Sequence, residues 1–496
     1  MKLEANETLA LEKQGVQPTD CTAKYEWHIK HDAKIMALYL GMGKFADSVK
    51  SSNQVIGIVL DRSSFYYTSG GQCTDIGFLS IQKDVDAKTN DDEDEEKSCF
   101  DVNACEQFGK YVLHIGTAKT DLKVGDLVTC HVDYDRRNLI APNHTMTHVL
   151  NFALRKVLDP KTDQKGSLVD HEKLRFDFNG DAMTADQILQ VEKIVNKNID
   201  DSLPVETKVV PFVKATQIQG LRKCAEDYPE KVRVVSVGTN ADSILKDPSN
   251  SKWSDYSVEL CGGTHISNSS RATKFAILEE GSIQAGIRRV VAVTGERAVD
   301  AYVQLNFLES RFEEVSTYPA TKMDEGLKKL QSDLNAAVAP ISGKRRLRAQ
   351  FEKMQKEHFE AKKKLLNVSV DKLKADIQAK KDEEIVVLAQ TNVLKNKKKL
   401  SGVVKKASKK NKNASFLLLG KEEEEGNVFA LAFVSKAHQK KGLSALEWIN
   451  DFCKNCGGVI KTGGREASAQ GSGKDITKFD EGFVAAEKFG KSKISA

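Results

Sequence analysis

The chain has 496 residues, of which 40 % are hydrophobic and 29 % charged, with 33 Gly and 9 Pro. It is too long for one core and fits about three domains, and its composition excludes collagen-like, mucin-like and wholly disordered chains. The formal charge of +5 is small for this length, so only its distribution along the chain is informative.

The N-terminus, MKLEANETLALEKQG, has no apolar core behind its first lysine, so it is not expected to be a secretory signal. Residues 4–50 read as helical and then irregular. Residues 54–140 read as β-rich, with strands at 55–60 and 111–116 and a turn at Lys123-Val124-Gly125-Asp126. The six consecutive acids Asp91 to Glu96 fall between those strands and read as a solvated loop. From His144 the apolar spacing becomes helical, and a mixed α/β region follows to about residue 295, with strands expected at 175–178, 232–238 and 288–295. Residues 296–380 read as almost continuous helix. Within it Leu347, Phe351, Met354, His358, Ala361 and Leu365 form a coiled-coil-like seam. Pro340-Ile341-Ser342-Gly343 breaks the pattern before that seam and favours a helical hairpin over one rod. Beyond 383, strands at 383–390, 414–420 and 427–435 and helices near 440–452 and 480–490 describe a small separate α/β domain. No apolar run approaches the roughly 18 residues that would span a bilayer, so no membrane partner is expected.

The sharpest chemical signal is a pair of motifs about 115 residues apart, His144-Thr145-Met146-Thr147-His148 and Cys261-Gly262-Gly263-Thr264-His265. Histidines at i and i+4 share one face of a helix, so His144 and His148 can reach one ion. The Gly-Gly pair lets the backbone fold tightly enough for Cys261 and His265 to converge. Three nitrogens and a sulfur suit tetrahedral Zn²⁺, one per chain, rather than oxygen-seeking Ca²⁺ or Mg²⁺. Spacing alone leaves open a closed structural site or a catalytic one. The nine cysteines are irregularly spaced, as expected of reduced thiols in the cytosol. Cys453 and Cys456 form a bare CxxC and read as ordinary thiols, and the remaining histidines as structural.

NHTMTHVLNFALRKVL at 143–158 and ELCGGTHISNSS at 259–270 resemble the paired zinc motifs of the alanyl-tRNA synthetase editing domain. FYYTSGGQCTDIG at 65–77 resembles the glycine-rich motif that precedes them, and GGVIKTGGREASAQGSG at 457–473 resembles the core of the family's C-terminal tRNA-binding module. The resemblance covers essentially the whole chain, as the C-terminal half of a eukaryotic cytoplasmic enzyme or a freestanding editing protein of the long type. It implies an α+β multidomain chain: a junction remnant over 1–50, a β-rich barrel-like subdomain over 51–140, an α/β zinc-containing editing domain over 141–295, a helical hairpin or coiled-coil linker over 296–382, and a C-terminal tRNA-binding α/β domain over 383–496.

The function so implied is hydrolysis of Ser-tRNA(Ala) and Gly-tRNA(Ala) in the cytoplasm. Zinc on His144, His148, Cys261 and His265 would polarise the ester or anchor an amino group or a water. Gln72 is expected to hydrogen-bond substrate, Ser63 stands where the family commonly carries a serine-sensing threonine, and Thr145 joins them as a catalytic candidate. Tyr67 and Thr68 depart from the family pattern. Arg288 and Arg289 would meet acceptor-end phosphates or, equally, pair with acids on neighbouring strands. Lys398, Lys405 and Lys406, in a stretch with nine lysines and no acid over 392–413, and Lys461, Arg465 and Lys474, among glycines, are expected to bind the tRNA, from acceptor end to elbow. The hairpin or the C-terminal domain offers a homodimer contact. No class II aminoacylation site fits the sequence before residue 51, so no ATP use is expected. The alternatives are a part of a full, ATP-dependent alanine-tRNA ligase, and a tRNA-binding protein without hydrolysis.

Overall fold

The computed structural model describes residues 1–82, 97–224, 227–391, 397–421, 427–457, 459–474 and 477–495; the acidic run Asp91 to Glu96 lies outside them. The chain divides into two units, Met1–Phe351 and Glu352–Ala496.

In the first unit six antiparallel strands close into a barrel in the order His31–Gly41, Val55–Leu60, Tyr111–Ala118, Phe100–Phe108, Gly77–Ile81, Leu127–Val132. The last strand pairs back onto the first, Val128 opposite Ala33, so the ring has no free edge. Alternate side chains, including Ile35, Ile58, Leu79, Phe100 and Val128, fill its interior. The strand His31–Gly41 corrects the reading of residues 1–50 as only helical and irregular. Its period of two is obscured because Ala37, Leu38 and Tyr39 are all buried, after a bulge between Ile35 and Ala37. Leu3 and Leu11, from the segment around helix Ala5–Lys13, cover the outer face at Ala37, Tyr39, Val59 and Leu113.

Past the barrel, helices Tyr134–Val157 and Ala185–Asp200 pack on a four-stranded antiparallel sheet ordered Gln164–Val169, Leu174–Asn179, Ile287–Thr294, Phe275–Gln284. The first helix begins where the Asp133 side chain accepts from the Arg136 N–H, the second with a capping box between Thr184 and Gln187. Every residue from Ile140 to Leu154 is buried, so this helix is sheathed on all sides. A second sheet, Val205–Pro211, Lys231–Val237 and Ser257–Leu260, encloses its own core around Val234, Trp253 and Val258.

Residues 296–380 hold three helices rather than a two-helix hairpin: Gly295–Ser316, Ala320–Ala336 and Ile341–Ala379. The additional break falls at Thr317-Tyr318-Pro319, where proline cannot donate to a continuing ladder and instead starts the next helix. Of the expected seam, Leu347 and Phe351 are buried whereas Leu365 is 62 % exposed.

In the second unit a five-stranded sheet is ordered Ile385–Thr391, Ser415–Lys421, Val428–Phe433, Ser468–Lys474, Val459–Arg465; the first pair is parallel and the rest antiparallel. Helix Lys397–Lys410 covers one face through Leu400 and Val404. Helices Ala445–Asn455 and Phe479–Ser495 cover the other around Trp448 and Phe452. The glycine-rich segment supplies two of the five strands, Val459–Arg465 and Ser468–Lys474.

Glu192 ties the start of helix Ile341–Ala379 into the first unit: its carboxylate accepts from Ser342 Oγ at 2.6 Å and from the Ile277 N–H at 2.8 Å. Burial pushes its carboxyl up to about 7. The folded chain therefore keeps a proton that an unfolded glutamate loses near pH 4.5, and stability falls as pH rises between those values, by at most about 1.4 kcal/mol per pH unit. The stability difference between the unmutated chain and Glu192→Gln, measured by thermal unfolding at pH 5 and at pH 8, isolates this group and should shift in favour of the variant at pH 8.

A candidate metal centre

His144 and His148 project from helix Tyr134–Val157, and Cys261 and His265 from the loop that follows strand Ser257–Leu260. One donor atom from each of the four lies within 4.8 Å of all the others. Cys261 Sγ stands 3.3 Å from His144 Nε2, and the three imidazole centroids are 4.6 to 5.3 Å apart. The two sequence motifs are thus brought to one point.

The backbone around them leaves little choice. A Cβ on Gly263 would fall 2.0 Å from His144 Cε1 and 2.9 Å from Gln72 Oε1, while one on Gly262 would meet Tyr25 Oη at an ordinary 3.9 Å. The requirement at Gly263 is room for the imidazole rather than an unusual torsion. Arg233 holds the same loop by donating to the Cys261 and Gly263 carbonyls at 3.2 and 2.7 Å, and Tyr25 Oη donates to the Gly262 carbonyl at 2.9 Å.

Hydrogen bonds fix which nitrogen of His144 and of His265 carries its proton. The Thr264 N–H can only donate, so the Gln72 atom 3.0 Å from it is the carbonyl Oε1. The same oxygen faces His144 Nδ1 at 2.6 Å, so Nδ1 carries the proton and the Nε2 lone pair faces Cys261. Thr145 Oγ1 donates to the Ala141 carbonyl and accepts from the Ile266 N–H, so at 3.1 Å from His265 Nδ1 it can only accept. His265 Nε2 is left buried without a partner. His148 turns Nε2 toward Glu259 Oε2 at 3.7 Å, and its Nδ1 is likewise buried and unpartnered. Asn151 and Arg222 donate to the other oxygen of Glu259 at 3.0 and 3.1 Å. Orphaned buried nitrogens are costly unless something occupies them. Three imidazole lone pairs beside one thiol, each ring steadied from behind, are the donor set that zinc takes.

Electrostatics agree. Burial holds His144 and His265 well below the ordinary histidine range and His148 down to about 3, helped by neighbouring cations. The rings are therefore neutral ligands at physiological pH. Desolvation pushes the Cys261 thiol up to about 12, although the Gly263 N–H and Arg233 oppose it; binding a metal there would release its proton. Glu259 is raised to about 7 by burial, against the pull of Arg222.

The other expected residues lie as follows. Gln72 is fully buried and donates through Nε2 to Thr264 Oγ1 at 2.8 Å, so its amide works on protein groups. Ser63 is buried: its hydroxyl donates to His114 Nε2 at 2.7 Å, because His114 Nδ1 faces the Ile58 carbonyl, and accepts from the Phe65 N–H. Thr68 donates to Glu106, and Tyr67 accepts from Lys24. Of the two readings open for the arginines, acid pairing is the one observed: Arg288 with Glu280 and Arg289 with Asp177, each Nε at 2.7 Å. Lys398, Lys405 and Lys406 are exposed on helix Lys397–Lys410, and Lys461, Arg465 and Lys474 on the Val459–Arg465 and Ser468–Lys474 strands. Glu259 and Arg233 were missed by sequence reasoning. Glu259 stood inside the ELCGGTH motif, two residues before Cys261; Arg233, in a plain β-strand, carried no signal.

The chain matches the tRNA synthetases class II (A) family over residues 2–136, the threonyl and alanyl tRNA synthetase second additional domain over 232–291, and the DHHA1 domain over 383–491. Among curated proteins it is 34 % identical to the cytoplasmic alanine–tRNA ligase of Dictyostelium discoideum, over 97 % of this chain and 50 % of that protein. Identity to the cytoplasmic alanine–tRNA ligase of Caenorhabditis elegans is 34 %, and to that of Drosophila melanogaster 33 %, each over 100 % of this chain and 52 % of the relative. The chain thus spans about half the length of the curated relatives it matches.

Loss of the groups that steady the rings should weaken metal binding without unfolding the chain. Gln72→Ala should lower zinc affinity by roughly 10- to 100-fold, read by competition with a chromophoric chelator, and circular dichroism should be unchanged.

Proposed function

We propose that this chain, an alanyl-tRNA synthetase-like protein matching the C-terminal half of its relatives, is a zinc-dependent deacylase that hydrolyses the ester of Ser-tRNA(Ala) and Gly-tRNA(Ala) in the cytoplasm. The observation that carries the reading is the convergence of three neutral imidazole lone pairs and one thiol at a buried point. A synthetic pocket sized for alanine cannot strongly reject glycine, or serine with its one added hydroxyl, so discrimination needs a second, hydrolytic site.

His144, His148, Cys261 and His265 would hold the ion. Bound there, zinc supplies Lewis-acid chemistry to an ester carbonyl, or a seat for a water or an amino group. The chain's own groups keep that seat in shape. Gln72 and Thr145 hold the protons of His144 and His265 on Nδ1, away from Cys261 and from the free Nε2 of His265 respectively. Glu259 faces the Nε2 side of His148, and Arg233 braces the backbone that carries Cys261. These are positioning roles. Capture of the tRNA falls to the exposed lysines of helix Lys397–Lys410 and to Lys461, Arg465 and Lys474, since phosphate neutralisation supplies most of the affinity for nucleic acid.

A second reading is favoured by one observation, the match to only about half of each relative. On it, ATP-dependent ligation of alanine would belong to a longer protein of which this chain is a portion, and the deacylase role would be unchanged.

Purified chain mixed with Ser-tRNA(Ala) should release serine while Ala-tRNA(Ala) is spared. Cys261→Ala should reduce release to the uncatalysed rate, with zinc lost and the circular dichroism spectrum kept. Unaltered release in Cys261→Ala, or tight tRNA binding with no release by the unmutated chain, would contradict the proposal.

A further inference from the structure

Cys224 is not one of the four donors that converge on one point, yet the backbone carries it toward Cys261. Strand Ser257–Leu260 has a short parallel neighbour at Arg222. The Arg222 N–H donates to the Val258 carbonyl at 2.9 Å, and its own carbonyl accepts from the Leu260 N–H at 3.1 Å. That pairing sets Arg222 opposite Glu259, and their side chains meet on one face, Nε to Oε1 at 3.1 Å. Side chains alternate along extended chain, so the residues two further on return to the same face.

Cys224 and Cys261 are those residues, each two past the bridged pair. Cys261 is still held in the sheet, its N–H donating to the Arg233 carbonyl at 3.0 Å. Neighbouring strands run about 4.8 Å apart, inside the roughly 4.4–6.8 Å that the Cα atoms of a disulfide span. Cys224 is anchored in turn by its N–H, which donates to Tyr228 Oη at 2.9 Å. The Tyr228 ring stacks on Phe212, and both pack against the core of the three-stranded sheet. Neither Cys224 nor Cys261 is in a disulfide, and both are part-exposed, whereas Cys99, Cys105 and Cys130 are buried. Burial is what chiefly raises the Cys261 thiol, and Cys224 is among the neighbours that add to it.

We infer that Cys224 and Cys261 form a thiol pair that hydrogen peroxide oxidises to a disulfide, withdrawing Cys261 from the metal. The Cys224 sulfur attacks the peroxide; the O–O bond breaks, and the leaving hydroxide takes the thiol proton and departs as water. The Cys261 sulfur then attacks the Cys224 sulfenic acid, forming the S–S bond as the S–O bond breaks and a second water leaves. Two thiols lose two electrons and two protons, and one peroxide becomes two waters. Three imidazoles without the thiolate lack the soft donor that suits zinc, so oxidation lowers metal affinity and a reducing dithiol restores it. This regulation rests on the zinc reading of the same cluster, but its first measurement needs no metal.

Metal-free full chain is treated with hydrogen peroxide, alkylated, digested without reduction and searched for linked peptides by mass spectrometry. A Cys224–Cys261 link should be the main disulfide of the first unit, and dithiothreitol should remove it. In parallel, zinc-loaded chain is oxidised beside a chromophoric chelator. Zinc should be released as the link forms, and Cys224→Ser, which keeps all four ligands, should slow that release several-fold. Absence of the link in the folded chain, Cys261 joined mainly to another cysteine, or release just as fast in Cys224→Ser would overturn the inference. A link formed in chain that never binds zinc would defeat the metal reading and leave the thiol pair; zinc bound but no link under peroxide would defeat the pair alone.

Discussion

A single carboxamide joins the three segments from which the centre is made. Gln72 arrives on the Gly70-Gly71 turn between the barrel strands Val55–Leu60 and Gly77–Ile81, accepts from both His144 on the sheathed helix and the Thr264 backbone N–H, and donates to the Thr264 hydroxyl. Only an amide can do all of this at once: a carboxylate would lack the donor, and an apolar residue would leave two buried N–H groups unpaired, at a cost of about 1–3 kcal/mol each. Because the backbone N–H sets the orientation of the amide, and the amide sets the tautomer of His144, the ligand geometry follows from an ordinary peptide hydrogen bond.

The turn itself is held from two sides. Gly71, at φ +84°, packs so close to Ser167 that an added Cβ would lie 2.6 Å from its carbonyl oxygen. The Gly71 carbonyl and the Cys73 N–H both pair with Val169 at the edge of the four-stranded sheet. On its far side Asp75 forms an ion pair with the fully buried Arg137, which also donates to the Ser64 and Lys24 carbonyls. Breaking such a pair by removing one partner typically costs about 3–5 kcal/mol. Barrel, helix and the segment carrying Tyr25 and Trp27 are therefore locked together through one guanidinium.

The ligands were legible in the sequence because their chemistry is local. Histidines at i and i+4 declare a shared helix face, and a cysteine and a histidine around paired glycines declare a tight approach. Strands such as Val55–Leu60 and Lys231–Val237 were legible for the same reason, being short runs of β-branched residues. What escaped was set by partners distant along the chain. The strand His31–Gly41 hides its alternation because the N-terminal helix covers its outer face. The strands Val459–Arg465 and Ser468–Lys474 are too rich in glycine to declare themselves and exist because the second pairs with Val428–Phe433 and the first pairs with the second. The task of Gln72, read beforehand as contact with substrate, depends on Thr264, which lies 192 residues away. Arg288 and Arg289 read equally as phosphate ligands or as ion-paired strand residues until Glu280 and Asp177 were placed beside them.

The central claim is that three imidazoles and one thiolate, set in advance by Gln72, Thr145 and Glu259, close on one zinc ion. X-ray absorption at the zinc edge of the purified full chain tests it most directly. The account predicts one zinc per chain, with three nitrogen neighbours at roughly 2.0–2.1 Å and one sulfur at about 2.3 Å. A shell of oxygen and nitrogen without sulfur, or chain prepared with ample zinc that carries none, would contradict it.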